Sequence, residues 1–395
     1  MALATAGATA TAAQAADNSG TAADTAGDPS ASYGFEGSHQ QGIVTPAQAA
    51  SLFIAFDVAA ANKSELTDLM RTITTRARAL TAGGAPASVG ISAPPADSGV
   101  LGPDVVPDGL TVTASVGASL FDGRYGLASQ KPSKLRQMED FPNDSLQRDQ
   151  CDGDLLLQIC AHNSDTVIHA LRDIARNTRG GMQVRWQKEG FISPPRPSGT
   201  PRNLMGFKDG ISNPDVTNAD DMKTLVWADA SAEPAWAAGG SYHVVRTIRM
   251  LVEFWDRVNI DEQERMIGRR RDSGAPLSGS SELDDPHYAL DPTGDSVPLG
   301  AHMRLANPRT ADTASSRFLR RGYNYNGGID SNGNLDMGLI FVGFNQDLER
   351  QFVTVQKRLA DEALVDYIQP FGGGYFYAVP GVSGSDDFLA KGLLA

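Results

Sequence analysis

Two cysteines, Cys151 and Cys160, are all that 395 residues contain. That number excludes a disulfide scaffold and a four-cysteine zinc centre. No run of about 18 apolar residues occurs, so no segment reads as a membrane-spanning helix. Basic residues are in deficit: 34 Lys and Arg against 47 Asp and Glu leave a net charge of −13. Such a surface does not gather a phosphate backbone, which excludes nucleic acid as the main partner. Also absent are a GxxxxGK[ST] phosphate loop, an HExxH zinc helix and a serine elbow. What is present is ordinary for a well-cored protein: 41% hydrophobic and 21% charged residues. The length suits two or three domains, or one large duplicated unit.

Residues 1–40 stand apart, being Ala, Thr, Gly, Ser and Asp with almost no large apolar side chain. Such a stretch cannot bury enough surface to offset its ordering entropy, so a flexible tail is expected. Small residues without a charged or apolar core also match the segment found just after a cleaved export signal, a natural cytoplasmic linker being the alternative.

Beyond the tail the hydrophobic pattern repeats. Leu52, Ile54, Phe56 and Val58 alternate as in a strand. Residues 63–81 carry Leu66, Leu69, Met70, Ile73, Ala77 and Leu80 on one helical stripe, stopped by Gly83-Gly84. Strands follow at 110–117 and 154–161, a helix starts after Asn163-Ser164-Asp165, and a strand at 182–190 closes the series. That order is βαββαβ, the split βαβ of ferredoxin-like folds. The second half repeats it less cleanly: a strand at 241–250, a helix near 259–270, a short strand near 316–320, a strong one at 337–344, a helix at 347–360 and a strand at 373–379. The expected fold is α+β, with two ferredoxin-like halves (41–190 and 216–395) whose antiparallel sheets pack together. A Pro- and Gly-rich connection at 191–215 joins them.

Few side chains suggest chemistry by spacing alone. Of the six histidines, His39, His162, His169, His243 and His287 read as ordinary tail, helix, strand or loop residues. His302 differs in context, lying in GAHMRLANPR with Arg304 and Arg309 close behind, but spacing leaves it either a loop histidine or a ligand. Asp209 sits in NLMGFKDGISNP between Gly206 and Gly210, glycines that allow a tight turn and close approach of a flat ligand. Asp330, Asn332, Asn334 and Asp336 alternate like calcium ligands, yet Leu335 and Phe341 occupy the Gly and Glu positions, so an EF-hand is rejected. Gly372-Gly373-Gly374 precedes a strand rather than a helix and is no nucleotide fingerprint.

Taken together, several motifs resemble one family. GFKDG at 206–210 resembles the GxxDG signature of the dye-decolourising peroxidases. NLMGFKDGISNP, HMRLANPR at 302–309, RRGYNY at 320–325 and FVTVQKRLADEALVDYIQPFGGGYFYAVPG at 352–381 are similar to its exported, iron-uptake branch. GIVTP at 42–46 and GASLF at 117–121 fit its first domain. The resemblance runs from about residue 40 onward and implies two ferredoxin-like domains and one haem b per chain. It makes His302 the iron ligand, with Glu362 accepting the other imidazole proton (Asp361 being the competing acid). Asp209 becomes the distal acid and Arg320 the distal guanidinium, Arg321 being the alternative by register. Gly206, Phe207 and Gly210 form the loop over the haem, Leu339 and Phe341 line its pocket, and Arg304 either pairs a propionate or is a surface arginine. Some branches carry an Asn two positions after the Arg; here it is Gly322.

The implied activity is reduction of hydrogen peroxide at the haem, with electrons drawn from dyes, phenols or metal ions. A role in iron acquisition, oxidising ferrous iron or removing iron from haem, is the alternative, and a non-catalytic haem carrier is the third reading. Asp209, Arg320 and His302 together argue against mere carriage, which needs no distal acid or guanidinium. The same branch implies export to the cell envelope or medium by the twin-arginine pathway, with the signal absent from this chain. Small or bulky electron donors are the expected partners, and an oligomer is compatible with the resemblance.

Overall fold

The computed structural model describes residues 28–395; the first 27 residues of the expected tail lie outside that range. In chain order the first half runs β1 (Ala50–Val58), α1 (Lys63–Ala82), β2 (Thr111–Gly117), β3 (Leu155–Ala161), α2 (Ser164–Asn177) and β4 (Met182–Phe191). Asn62 caps α1 by accepting the Glu65 amide at 3.0 Å, and the helix stops at Gly83 as its sequence requires. The second half runs α3 (Ala219–Leu225), β5 (Ser241–Met250), α4 (Val252–Trp255), α5 (Ile260–Ile267), α6 (His302–Ala306), β6 (Leu319–Arg320), β7 (Tyr323–Ile329) and β8 (Leu335–Asn345). It ends with α7 (Thr354–Arg358), β9 (Ile368–Ala378) and α8 (Lys391–Leu394).

The strands form one antiparallel sheet in the order β5-β9-β2-β3-β1-β4-β7-β8-β6, and β8 also pairs with β5. The sheet therefore closes on itself. Two separate sheets packed together were expected; instead their edges join, β2 to β9 at Ser115–Gly117 and β4 to β7 at Phe191 and Asn324. Joining edges satisfies backbone groups that two open sheets would leave unpaired. Closure also explains why β1 is buried on both faces. Leu52, Ile54 and Phe56 pack with α1 and α2, while Phe53 and Ala55 enter an inner core with Trp186, Tyr323, Ile340 and Phe376.

Two expectations along the chain need correction. The tail does not extend to residue 40 as a free segment. Gln40 is buried, its Nε2 donating to Ala114 O at 2.8 Å and Val379 O at 2.7 Å, while its Oε1 accepts the Ala114 amide at 2.8 Å. His39 stacks on Trp227 with ring centroids 3.7 Å apart. The helix expected at 347–360 begins as a wider π turn over Glu349–Val353 before α7, with the Val353 amide bonded to Leu348 O at 3.0 Å. Such bulges let side chains on one helix re-aim toward a site.

Candidate active site

The connection and the second half together build a cavity of about 250 Å³ whose lining residues all fall between Asn203 and Pro370. Strand alternation supplies one wall: Ile248 and Met250 from β5, Leu339 and Phe341 from β8, and Ile368 and Pro370 from β9. The re-aimed helix supplies Phe352, Val355 and Leu359. Phe341 and Phe352 rings sit 5.7 Å apart, and Phe318 meets Phe341 edge to face at 6.0 Å. An apolar, aromatic wall of this kind suits a flat hydrophobic ligand.

His302 opens α6 and faces this cavity. Its Nδ1 lies 2.6 Å from Glu362 Oε2, and Glu362 is buried. About a third of the His302 side chain is accessible, at 33%; because His302 lines the cavity, that accessible surface is turned toward it. Burial opposes protonation of the imidazole, but the charge and hydrogen bond of Glu362 outweigh it and hold His302 above the ordinary value. Asp361, the competing acid, is exposed. With Nδ1 engaged, Nε2 is the nitrogen left for a ligand.

A second pair lies across the same cavity. Arg320 donates from Nη1 to Asp209 Oδ1 at 2.9 Å, and both side chains line the space. The charges of both reach the His302 imidazole. The partners are 111 positions apart in sequence, and Asn213 closes that gap. Its Nδ2 donates to Arg320 O at 2.7 Å while its Oδ1 accepts the Arg320 amide at 3.0 Å. The loop bearing Asp209 is shaped by Asn203, which accepts the amides of Met205 and Phe207 at 3.1 and 3.3 Å. Gly206 turns there with φ +88°, and a Cβ would meet Arg271 Nε at 2.9 Å. Phe207 and Gly210 line the cavity, while Gly206 serves only the turn.

Arg321 goes elsewhere. It is buried among residues of the first half, donating to Thr45 O, to Pro46 O at 3.2 Å and to Gln48 Oε1. Backbone alternation thus puts Arg320, and not its neighbour, on the cavity. Arg304 is a correction: expected to pair a propionate, it is absent from the lining. Its Nη1 bonds Val297 O at 2.7 Å and Asp291 Oδ2 at 3.1 Å, its Nη2 bonds Asp291 O at 2.7 Å, and its guanidinium covers the Tyr288 ring. It ties down the 288–297 loop instead.

Sequence reasoning missed several polar residues at the site, Asn213, Arg246, Arg269 and Arg317 among them. Asn213 stands in the same motif as Asp209, where its side chain reads as part of a turn. Arg246, on β5 and 1% exposed, lines the cavity and is paired with Asp144; its signal was a charge alternating with Ile248 and Met250 on one strand face. Among the described residues no cluster of three or more His, Cys, Asp or Glu could hold a metal ion.

Comparison with known proteins places the chain in a family. The N-terminal Dyp-type peroxidase profile matches residues 40–192, and the C-terminal profile matches residues 200–383. A deferrochelatase of Escherichia coli O6:K15:H31 is 54% identical over 366 residues, covering 91% of this chain and 86% of that protein. A deferrochelatase of Yersinia pestis bv. Antiqua is 52% identical over 365 residues, covering 91% and 84%. Among solved structures, ferric DtpA from Streptomyces lividans superposes with a TM-score of 0.84 at 38% identity, covering 93% of this chain and 98% of that one. A DyP-type peroxidase from Cellulomonas bogoriensis gives 0.82 at 34%, covering 93% and 99%. With both profiles matched in order and relatives alike along nearly the whole length, the chain belongs to the Dyp-type peroxidase family of haem-dependent peroxidases.

Proposed function

We propose that the chain reduces hydrogen peroxide at one haem b held in this cavity and oxidises dyes, phenols or metal ions with the equivalents gained. The carrying observation is the pairing of two couples around one apolar cavity: His302 with Glu362, and Asp209 with Arg320. These residues fit the group. An imidazole with one nitrogen engaged and the other free is the donor that a peroxidase iron takes at its fifth position, and the aromatic wall suits a macrocycle.

Haem, when bound, supplies the iron that accepts peroxide and stores its oxidising equivalents for the donor. The protein does the rest. Glu362 keeps the proton on His302 Nδ1, fixing the tautomer and raising the basicity of Nε2. The Asp209 carboxylate is the base that takes a proton from one peroxide oxygen and returns it to the other. Arg320, held by Asp209 and by Asn213, lends fixed positive charge to the oxygen that departs. Rapid mixing of the haem-loaded protein with peroxide tests this. Asp209→Ala should keep haem and slow the first spectral change by roughly 10²-fold or more. An unchanged rate would remove Asp209 from the reaction.

A second reading, removal of iron from haem, is favoured by the name deferrochelatase carried by relatives at 52–54% identity. Anaerobic incubation with haem, followed by release of metal-free porphyrin, tests it; none released would set it aside.

We also infer two ferredoxin-like domains, 41–190 and 216–395, joined by 191–215. The support is one strand order in both halves, β4-β1-β3-β2 and β9-β5-β8-β7, together with separate profiles for each. Limited proteolysis should cut first in 191–215; first cuts inside either half would refute the boundary. Export rests on the composition of the first forty residues and on the motifs of the exported branch. No helix among the described residues is long and apolar enough to cross a membrane. Recovery from the cytosol alone in fractionated cells would refute export.

A further inference from the structure

Five cationic side chains line the cavity: Lys208, Arg246, Arg269, Arg317 and Arg320. Four have acceptors that account for their position. Lys208 pairs with Glu282, Arg320 with Asp209, Arg317 with Asp221, and Arg269 donates to the carbonyls of Gly274 and Glu282. Arg246 differs. One nitrogen, Nη2, meets Asp144, and the other two, Nε and Nη1, are buried with no acceptor among the described residues. A guanidinium that is 1% exposed with one of its three nitrogens paired is costly to keep. It stands on a strand face that otherwise presents Ile248 and Met250 to the same cavity.

The partner carboxylate is placed with care. Asp144 belongs to the first half, on a segment laid against β9 by the bonds Ser145 N to Pro370 O at 2.9 Å and Gln147 N to Phe371 O at 2.8 Å. Its end is pinned where Asp152 N donates to Gly373 O at 2.8 Å. Gly373 has φ +109°, and a Cβ there would strike Val245 O. The glycine run noted in the sequence therefore serves close backbone packing on both sides of β9. Phe141 lies under the guanidinium, 5.3 Å from its ring centroid. Arg246 is thus oriented by Asp144 and Phe141, with two donors still free.

We propose that Arg246, positioned by Asp144, binds a propionate carboxylate of the haem; this rests on the reading of the cavity as a haem site. A carboxylate is the ligand class that free guanidinium donors take, and it would complete a pair that the protein alone leaves unfinished. The structure thus moves the propionate contact from Arg304 to Arg246.

The test uses the protein loaded with haem b or with its dimethyl ester, which lacks both carboxylates. Loss of each cofactor is followed by transfer to excess apomyoglobin. The native protein should hold haem b at least about 10-fold longer than the ester. Arg246→Gln should shorten haem b retention by a similar factor and leave the ester within about twofold, erasing most of the difference. Because that variant strands the Asp144 carboxylate, the double variant Arg246→Gln/Asp144→Asn is measured too, removing both charges of the buried pair together; it should behave alike. Equal losses of haem b and ester on substitution would overturn the proposal and leave Arg246 a structural residue. A native protein that holds neither cofactor as a histidine-ligated complex would instead overturn the haem reading itself.

Discussion

Arg320 and Arg321 are neighbours with opposite fates, and replacing each by Ala separates catalysis from folding. Arg320 meets Asp209 at 2.9 Å with both side chains about a third exposed, at 30% and 31%. An ion pair so placed contributes about 0–1 kcal/mol to stability, so Arg320→Ala should unfold in urea almost as the native protein does. Loss of a fixed donor at a charge-developing atom costs about 2.7–4 kcal/mol of barrier, or roughly 10²–10³ in rate. Arg321→Ala should do the reverse. Its guanidinium serves two buried acceptors, Thr45 O and Gln48 Oε1, and the more exposed Pro46 O. Each buried acceptor left unsatisfied costs about 1–3 kcal/mol, and the losses are not fully additive, so about 2–5 kcal/mol is expected. Urea unfolding of the haem-loaded variants and stopped-flow mixing with peroxide give the two numbers. A stable Arg321→Ala that reacts slowly, beside an Arg320→Ala of native rate, would refute the assignment of roles.

Glu362→Gln keeps a hydrogen-bond acceptor beside His302 but removes the charge, so the ferric–ferrous midpoint of the bound haem should rise; a redox titration reads it, and an unmoved midpoint would show that the charge does not reach the iron. Gly206→Ala forces a side chain into φ +88° and should lower stability by about 1–2 kcal/mol in urea unfolding, with a native-like value refuting the strained turn. Burial pushes the His243 imidazole down to about 3 from 6.5, so the unfolded chain takes a proton that the folded one refuses. Stability should therefore fall as pH drops from about 6.5 toward 3, at up to about 1.4 kcal/mol per pH unit from this group. His243→Phe should flatten that slope, and equal slopes in urea melts across the window would exclude His243 as the cause.

The first half was legible because its alternation is uninterrupted. The strand expected at 154–161 is β3 at Leu155–Ala161, and the helix expected at 63–81 is α1 at Lys63–Ala82. The strand β7 was missed because YNYNGGI carries the Asn and Gly of a turn, and its outer residues are exposed. Docking of Gln40 was invisible for a different reason. Its partners are main-chain groups of Ala114 and Val379, 74 and 339 residues away, and no side-chain pattern records them. Site residues posed the same difficulty. Asp209 and Arg320 stand 111 residues apart and His302 and Glu362 stand 60 apart, on separate segments, so periodicity reads each as an ordinary residue of its own loop, strand or helix. Resemblance brought them together, and the hydrogen bonds give that grouping its physical reason. Resemblance also misplaced Arg304, whose neighbours in the 288–297 loop claim its donors first.

Both halves of the chain contribute strands to one closed sheet, but the site is one-sided. Every residue lining the cavity comes from 203–370, and the first half has no place in the wall. Its contribution comes from behind. Arg321 reaches into Thr45, Pro46 and Gln48, which fixes β6 and so the aim of Arg320. Asp144 reaches the other way, across β9, to orient Arg246. Closure of the sheet makes both contacts possible, since β2 and β4 of the first half meet β9 and β7 of the second along shared edges. The first half therefore acts on the chemistry through buried charge pairs and carbonyls rather than by touching a ligand.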